Sequence, residues 1–200
     1  DLLAGISDYI HRSNQTYVIL SLGNMVYNMD FNAVLDAHIE KQADITAVYK
    51  NLKGVPESDL THYTLLELDE ENRVKDVEVQ PYYPKTTNAS MEIYVMEKAL
   101  LESIVDECSA RGDVDFVKDA IIKKMGGMRI FGYEFEGKCY KIDSMKSYYK
   151  TSMDFLNAYY RKELFNPERP IYTKTKDQSP TKYGDEAVCT NSFISDGCVI

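Results

Sequence analysis

The sequence predicts a mixed α/β domain, an open sheet with helices packed against it. Tyr17 to Asp30 reads YVILSLGNMVYNMD: an apolar strand, a sharp exit carrying Gly23 and Asn24, and a helix start at Asp30. Before it, Leu2, Leu3, Ile6, Tyr9 and Ile10 share one helical face, so a helix feeds the strand and another leaves it. A chain of 200 residues with 44% hydrophobic content can bury one core. In such sheets ligands sit outside the carboxyl ends of strands. Tyr17 to Leu22 is therefore expected to be central and buried, with chemistry just past Leu22.

The elements follow in order. The first helix, Asp1 to Arg12, ends at Ser13-Asn14, and the helix capped by Asp30 carries Val34, Leu35, His38 and Ile39 on one face. His38 has no second ligand one turn on and reads as a packed helix residue. Asp44 to Tyr49 alternates as a strand, and Lys50 to His62, with Gly54 and Pro56, reads as a surface loop. Tyr63 to Leu68 and Arg73 to Val79 flank Asp69-Glu70-Glu71-Asn72 as a hairpin with a solvated acidic turn. Gln80-Pro81 and Tyr82-Tyr83-Pro84 break that ladder before Asn88-Ala89-Ser90 leads into the strand Met91 to Met96.

A helix from Glu97 to Cys108 turns Leu100, Leu101, Ile104, Val105 and Cys108 inward, and Phe116 to Met125 is a short amphipathic helix closed by Gly126-Gly127. Met128 to Phe135 and Cys139 to Ile142 are expected to pair as a hairpin across Glu136-Gly137-Lys138. Ser144 caps a long helix to about Arg161 whose Tyr148, Tyr149, Ser152, Met153, Leu156 and Tyr160 form a packing or interface stripe. Residues 1–165 read as one domain. Pro167, Pro170 and Pro180 mark 166–187 as a linker, and Val188, Ile194 and Ile200 give 188–200 the six-residue spacing of a parallel β-helix coil.

A net charge of −9 and a pI near 4.9 argue against a nucleic-acid surface, which needs clustered Lys and Arg. No segment approaches a membrane span and no signal pattern opens the chain, which predicts a cytoplasmic protein without a membrane partner. The four cysteines lack CxxC spacing and the three histidines give no zinc pattern, so reduced thiols are expected. Asp1 lies inside a helical pattern, and the chain reads as a piece of a longer one.

Several strings in order resemble the bacterial glucose-1-phosphate adenylyltransferases (ADP-glucose pyrophosphorylases). The family's GDHIYKMD is Gly23-Asn24-Met25-Val26-Tyr27-Asn28-Met29-Asp30 here, and its ASMGIYVF is Ala89-Ser90-Met91-Glu92-Ile93-Tyr94-Val95-Met96. DFGKDVIP corresponds to Asp115-Phe116-Val117-Lys118-Asp119-Ala120-Ile121-Ile122, IYT to Ile171-Tyr172-Thr173, and NSxIxDGCVI to Asn191 through Ile200. The resemblance implies a Rossmann-like nucleotidyltransferase domain over 1–165, its N-terminal part absent, followed over 188–200 by the first coil of a left-handed parallel β-helix.

In this family two aspartates hold Mg²⁺ between nucleotide and sugar phosphates. The resemblance places Asn24 and Ile142 at those positions, so Mg²⁺ is expected to bind poorly and neither is expected to be catalytic. Asp143 is one residue off, on the opposite strand face. The family's EKP becomes Val79-Gln80-Pro81, which loses a carboxylate and a phosphate-binding lysine; Lys85 could replace the lysine, although a solvated loop lysine is the plainer reading. Ser90, Tyr94, Asp115, Phe116 and Gln80 fall at substrate-binding positions, for glucose 1-phosphate or a nucleotide sugar.

The pattern looks like the GlgD-type regulatory subunit, partner of a catalytic glucose-1-phosphate adenylyltransferase subunit in a hetero-oligomer of glycogen biosynthesis. The alternatives are an active sugar-phosphate nucleotidyltransferase with a shifted metal site served by Asp143, and an assembly subunit that binds no ligand.

Overall fold

A computed structural model of the chain describes residues 5–112 and 115–200. They fall into two compact units, one from the described residues of Asp1–Leu22 and Asp30–Glu136, the other from Gly23–Met29 and Gly137–Ile200. No helix among the described residues is long and apolar enough to cross a membrane.

The first unit is mixed α/β. It opens with α1 (Ser7–Arg12) and β1 (Tyr17–Ser21), and continues through α2 (Phe31–Glu40), β3 (Ile45–Asn51), α3 (Glu57–Leu60), β4 (Thr64–Leu68) and β5 (Val74–Val79). Then come β6 (Asn88–Glu97), α4 (Lys98–Arg111), a π-helix over Phe116–Ile122 and β7 (Ile130–Glu134). Leu2 and Leu3, expected in the first helix, lie outside the described residues. The sheet order is β5-β4-β6-β3-β7, with β1 also on β6; β3 and β7 are parallel and the other pairs antiparallel.

The central strand is β6, not β1. Residues Ala89, Ser90, Met91, Ile93, Tyr94, Val95 and Met96 of β6 are all buried, and among the described residues β6 alone pairs with three strands. In contrast, β1 pairs only with β6 among the described residues, and Ile19 is 47% exposed. An apolar run suits a half-covered edge as well as a buried centre, which is why the sequence pattern misplaces this strand.

The pairing of β6 is interrupted at one place. Val48 of β3 sits opposite Ile93 and Tyr49 opposite Ser90, so Met91 and Glu92 form a bulge. On the side of β6 away from β3, β1 covers Ile93 to Glu97 while β4 touches only at Ala89. The bulge therefore faces the gap between β1 and β4.

Local chemistry sets the surrounding elements. The Asp30 side chain caps α2 by accepting from the Asn32 N–H at 3.0 Å. Val34 and His38, one turn apart, point into the core, while Ile39 is exposed. His38 Nδ1 is 2.8 Å from Thr46 Oγ1, and the Tyr17 ring packs edge-on to the imidazole. On α4, Leu101, Ile104 and Val105 are buried, and Gly112, with φ +75°, ends the helix in the left-handed conformation.

The acidic turn is docked rather than fully solvated: Asn72, at φ +65°, accepts from the Gly132 N–H at 2.7 Å, and Arg73 bridges Phe131. The expected hairpin after Phe135 does not form: β7 has β3 as its ladder partner, and all of β8 (Cys139–Lys141) is paired instead with β2 (Met25–Tyr27) in the second unit.

In the second unit the expected long helix is two, α5 (Met145–Asp154) and α6 (Ala158–Leu164). Ser144 caps the first, and Asn157 caps the second by accepting from the Tyr159 N–H at 2.9 Å. The break seats Phe155 between Tyr140 and Phe165. Tyr148 and Tyr149 are exposed, so that part of the stripe is not core. Beyond Phe165 the described structure includes a parallel bridge, Lys182 to Val199, with Gly197 at φ +78°.

Two measurements check this packing. A Cβ at Gly132 would meet Tyr49 Cε1 at 2.9 Å and Leu68 Cδ1 at 3.0 Å, so Gly132→Ala is expected to lower stability by about 1–3 kcal/mol in denaturant unfolding. Burial holds the His38 imidazole below its ordinary value, against the opposing pull of Glu97 and Asp44. A folded value below the unfolded one means full stability above pH about 6.5 and loss as pH falls through the folded value. The urea midpoint should therefore drop between pH about 7 and about 5, and His38→Gln should flatten that slope.

Candidate functional site

The sequence-derived site residues separate into two groups, each described within its own unit. In the first unit, Ser90 and Tyr94 stand on β6 around the bulge, and Asp115 and Phe116 open the π-helix. Asp115 is fixed by reciprocal bonds: its Oδ1 accepts from the Lys118 N–H at 3.0 Å, and its own N–H donates to Asp119 Oδ2 at 3.0 Å. A π-turn is wider than an α-turn and such turns are frequent at functional positions. The Phe116 ring lies 5.4 Å from that of Tyr94.

Tyr94 is buried, and burial raises its phenol far above the ordinary value; a hydrogen bond with Ser90 opposes this, while Glu92 and Asp115 add to it. Ser90 Oγ accepts from the Glu92 N–H at 3.0 Å. Buried Thr64, the first residue of β4, donates from Oγ1 to Glu92 Oε1 at 3.4 Å. Ser90, Tyr94, Asp115 and Phe116 thus share one neighbourhood, with a hydroxyl and a phenol flanked by two carboxylates.

Gln80 follows the last pair of β5 with β4; its N–H donates to Tyr63 O at 3.1 Å and its φ is +50°. Its side chain is exposed, and no bond from it to Ser90 or Tyr94 is formed. The Lys85 ammonium pairs with Glu78 at 3.0 Å and reaches Asp76 at 3.9 Å. Glu92 and Thr64 were missed by sequence reasoning. The signal was present for Glu92, which stands where the resembling ASMG string has glycine.

A cavity of about 630 Å³ lies elsewhere in this unit, beside the starts of β1, β3 and β7, lined by Tyr17, His38, Gln42, Asp44, Glu97 and Arg129. It contains none of the sequence-derived site residues.

In the second unit Asn24 and Ile142 are direct neighbours. They flank the β2–β8 ladder, with the Ile142 N–H donating to Asn24 O at 2.8 Å. Asn24 Oδ1 is buried without a hydrogen-bond partner among the described residues, a cost of about 1–3 kcal/mol. A Mg²⁺ ion takes one or two carboxylates and completes an octahedron with water or phosphate oxygens. Asn24 offers one neutral oxygen and Ile142 none, so this pair does not fit the ion. Asp143 Oδ1 accepts from Ser147 Oγ at 3.2 Å, at the head of α5. Among the described residues no three His, Cys, Asp or Glu side chains converge as a metal site.

The double variant Asn24→Asp with Ile142→Asp puts two carboxylates side by side. It is expected to lose about 1–3 kcal/mol without metal and to recover on adding Mg²⁺. Thermal unfolding with and without Mg²⁺ reads this; an equal Mg²⁺ shift in the unsubstituted protein would show that its own residues suffice.

Comparison with known proteins agrees with this topology. The nucleotidyl transferase family model matches residues 2–158. The glycogen biosynthesis protein GlgD of Bacillus subtilis (strain 168) is 30% identical over 96% of this chain and 46% of its own length. Glucose-1-phosphate adenylyltransferases of Geobacillus stearothermophilus and Thermosipho melanesiensis are 31% and 29% identical, each over 96% of this chain, covering 50% and 47% of theirs. The chain spans about half the length of the relatives it matches. With a family match over most of its residues and a mixed sheet of this order, the chain belongs to the nucleotidyl transferase family.

Proposed function

We propose that the chain is part of a non-catalytic, regulatory subunit of glucose-1-phosphate adenylyltransferase, cytoplasmic and acting in glycogen biosynthesis. The complex would convert ATP and glucose 1-phosphate to ADP-glucose and pyrophosphate. One observation carries this reading: Asn24 and Ile142 stand side by side at the ends of β2 and β8 and supply no anionic oxygen between them. Phosphoryl-type transfer depends on stabilising charge on phosphate oxygens, and a pair lacking carboxylates cannot hold the metal that would supply it. The engagement of Asp143 by Ser147 weighs against the shifted metal site.

The first of three segments, 1–165, is assigned to the later part of a Rossmann-like domain, with 166–187 as linker. Residues 188–200 are assigned to the first coil of a left-handed parallel β-helix, supported by the parallel bridge of Lys182 with Val199. A single coil buries little: Val188 is 86% exposed and Ile200 42%. Stacked coils are what cover such surfaces. The partner is a catalytic adenylyltransferase subunit. Ligand binding at Gln80, Ser90, Tyr94, Asp115 and Phe116 is retained as a sugar-type pocket, and this separates the proposal from a subunit of assembly alone.

Assay of the full-length protein, alone and with the catalytic subunit, tests this. Alone it is expected to form ADP-glucose at least about a hundredfold more slowly than the catalytic subunit. Mixed or co-expressed, the two should elute as one species and the catalytic rate or effector response should change. Robust Mg²⁺-dependent turnover without the partner would overturn the proposal.

A further inference from the structure

Glu92 is a bulky residue held at φ +53° in the middle of the buried strand β6. That conformation is rare for such a side chain and persists where its surroundings impose it. Here the β6 bulge imposes it, and bulges re-aim side chains next to sites. The re-aimed carboxylate receives the Thr64 hydroxyl and acts electrostatically on the Tyr94 phenol, on which Asp115 also acts.

The charges around that phenol do not balance. Lys118 lies 3.7 Å from Asp115, and Lys85 is engaged by Glu78 and Asp76. Glu92 forms no ion pair among the described residues. Asp115 is thus offset by Lys118 and Asp119 by Lys123, at 2.8 Å, while the Glu92 carboxylate has no such partner. At Gln80 the side chain is neutral. A phosphate brought into this neighbourhood would meet net negative charge in a partly desolvated place, where like charges repel strongly. An uncharged sugar meets what it needs: carboxylates accept from hydroxyl groups, Ser90 and Tyr94 can donate or accept, and the Phe116 ring offers an apolar face.

We propose that Glu92 is a specificity-determining residue that makes this pocket reject anionic sugar phosphates and accept neutral, polyhydroxylated sugars. The proposal rests on the reading of Ser90, Tyr94, Asp115 and Phe116 as a ligand pocket, and it reassigns what that pocket takes.

The test is ligand-observed NMR titration of the full-length protein with glucose and, separately, with glucose 1-phosphate. The unsubstituted protein is expected to bind glucose at least tenfold more tightly than glucose 1-phosphate. Glu92→Gly suits the left-handed backbone and removes the charge, so it should keep or raise the thermal midpoint and shift the preference at least tenfold toward the phosphate. Glu92→Gln, which keeps shape and polarity, should move the ratio the same way. Tyr94→Phe should weaken glucose without changing the ratio as Glu92→Gly does. Binding in which both Glu92 variants leave the ratio unmoved would overturn the role of Glu92 while keeping the pocket. Binding of neither sugar by any variant would overturn the pocket and the proposal together.

Discussion

The first unit depends on β6. Among the described residues it is the only strand that pairs with three others, and it is buried along nearly its whole length. Because β3 follows it on one side through both halves, β1 and β4 must share the other side, and the bulge at Met91 and Glu92 lies where one gives way to the other. A strand this heavily engaged can hold one residue in an unfavourable conformation, since relaxing Glu92 would disturb the ladders on both sides. The same constraint fixes Ser90 and Tyr94 on either side of the bulge, and with them the spacing of the candidate site.

Much of this was legible in the sequence because it is local. The Asp30 cap, the β4–β5 hairpin and α4 rest on residues within a few positions of each other, and each forms. Two of the misreadings are long-range. Nothing within Tyr17 to Leu22 says how many neighbours the strand has, so an edge read as a centre. The β7–β8 hairpin failed because β8 pairs with β2, far away in sequence. The long helix was divided by Asn157, a capping residue whose competition with helix continuation was overlooked.

The candidate site was legible in a different way. Ser90, Tyr94, Asp115 and Phe116 were found through strings and do come together, on β6 and the π-helix. Asn24 and Ile142 were found as departures from strings, and they are neighbours across a ladder that no periodicity announced. Glu92 escaped notice because a single Gly-to-Glu difference in a matching string reads as ordinary variation until its φ is known.

The departures are changes of charge. At Asn24 the shape of an aspartate is kept while its charge is removed, so an unpartnered buried amide oxygen replaces what would have been a far costlier unpaired buried carboxylate. Ile142 beside it goes further, removing polarity altogether. In the first unit Val79 and Gln80 remove a carboxylate and a cation together, and the change of opposite sign is Glu92, a carboxylate where the resembling strings have none. Negative charge is thus withdrawn where a cation would be held and supplied where a phosphate would be held. Loss of a catalytic metal alone would need only the first change. The second carries its own backbone cost at Glu92, and a cost at one defined position is better explained by a pocket tuned to a different ligand than by a pocket merely given up.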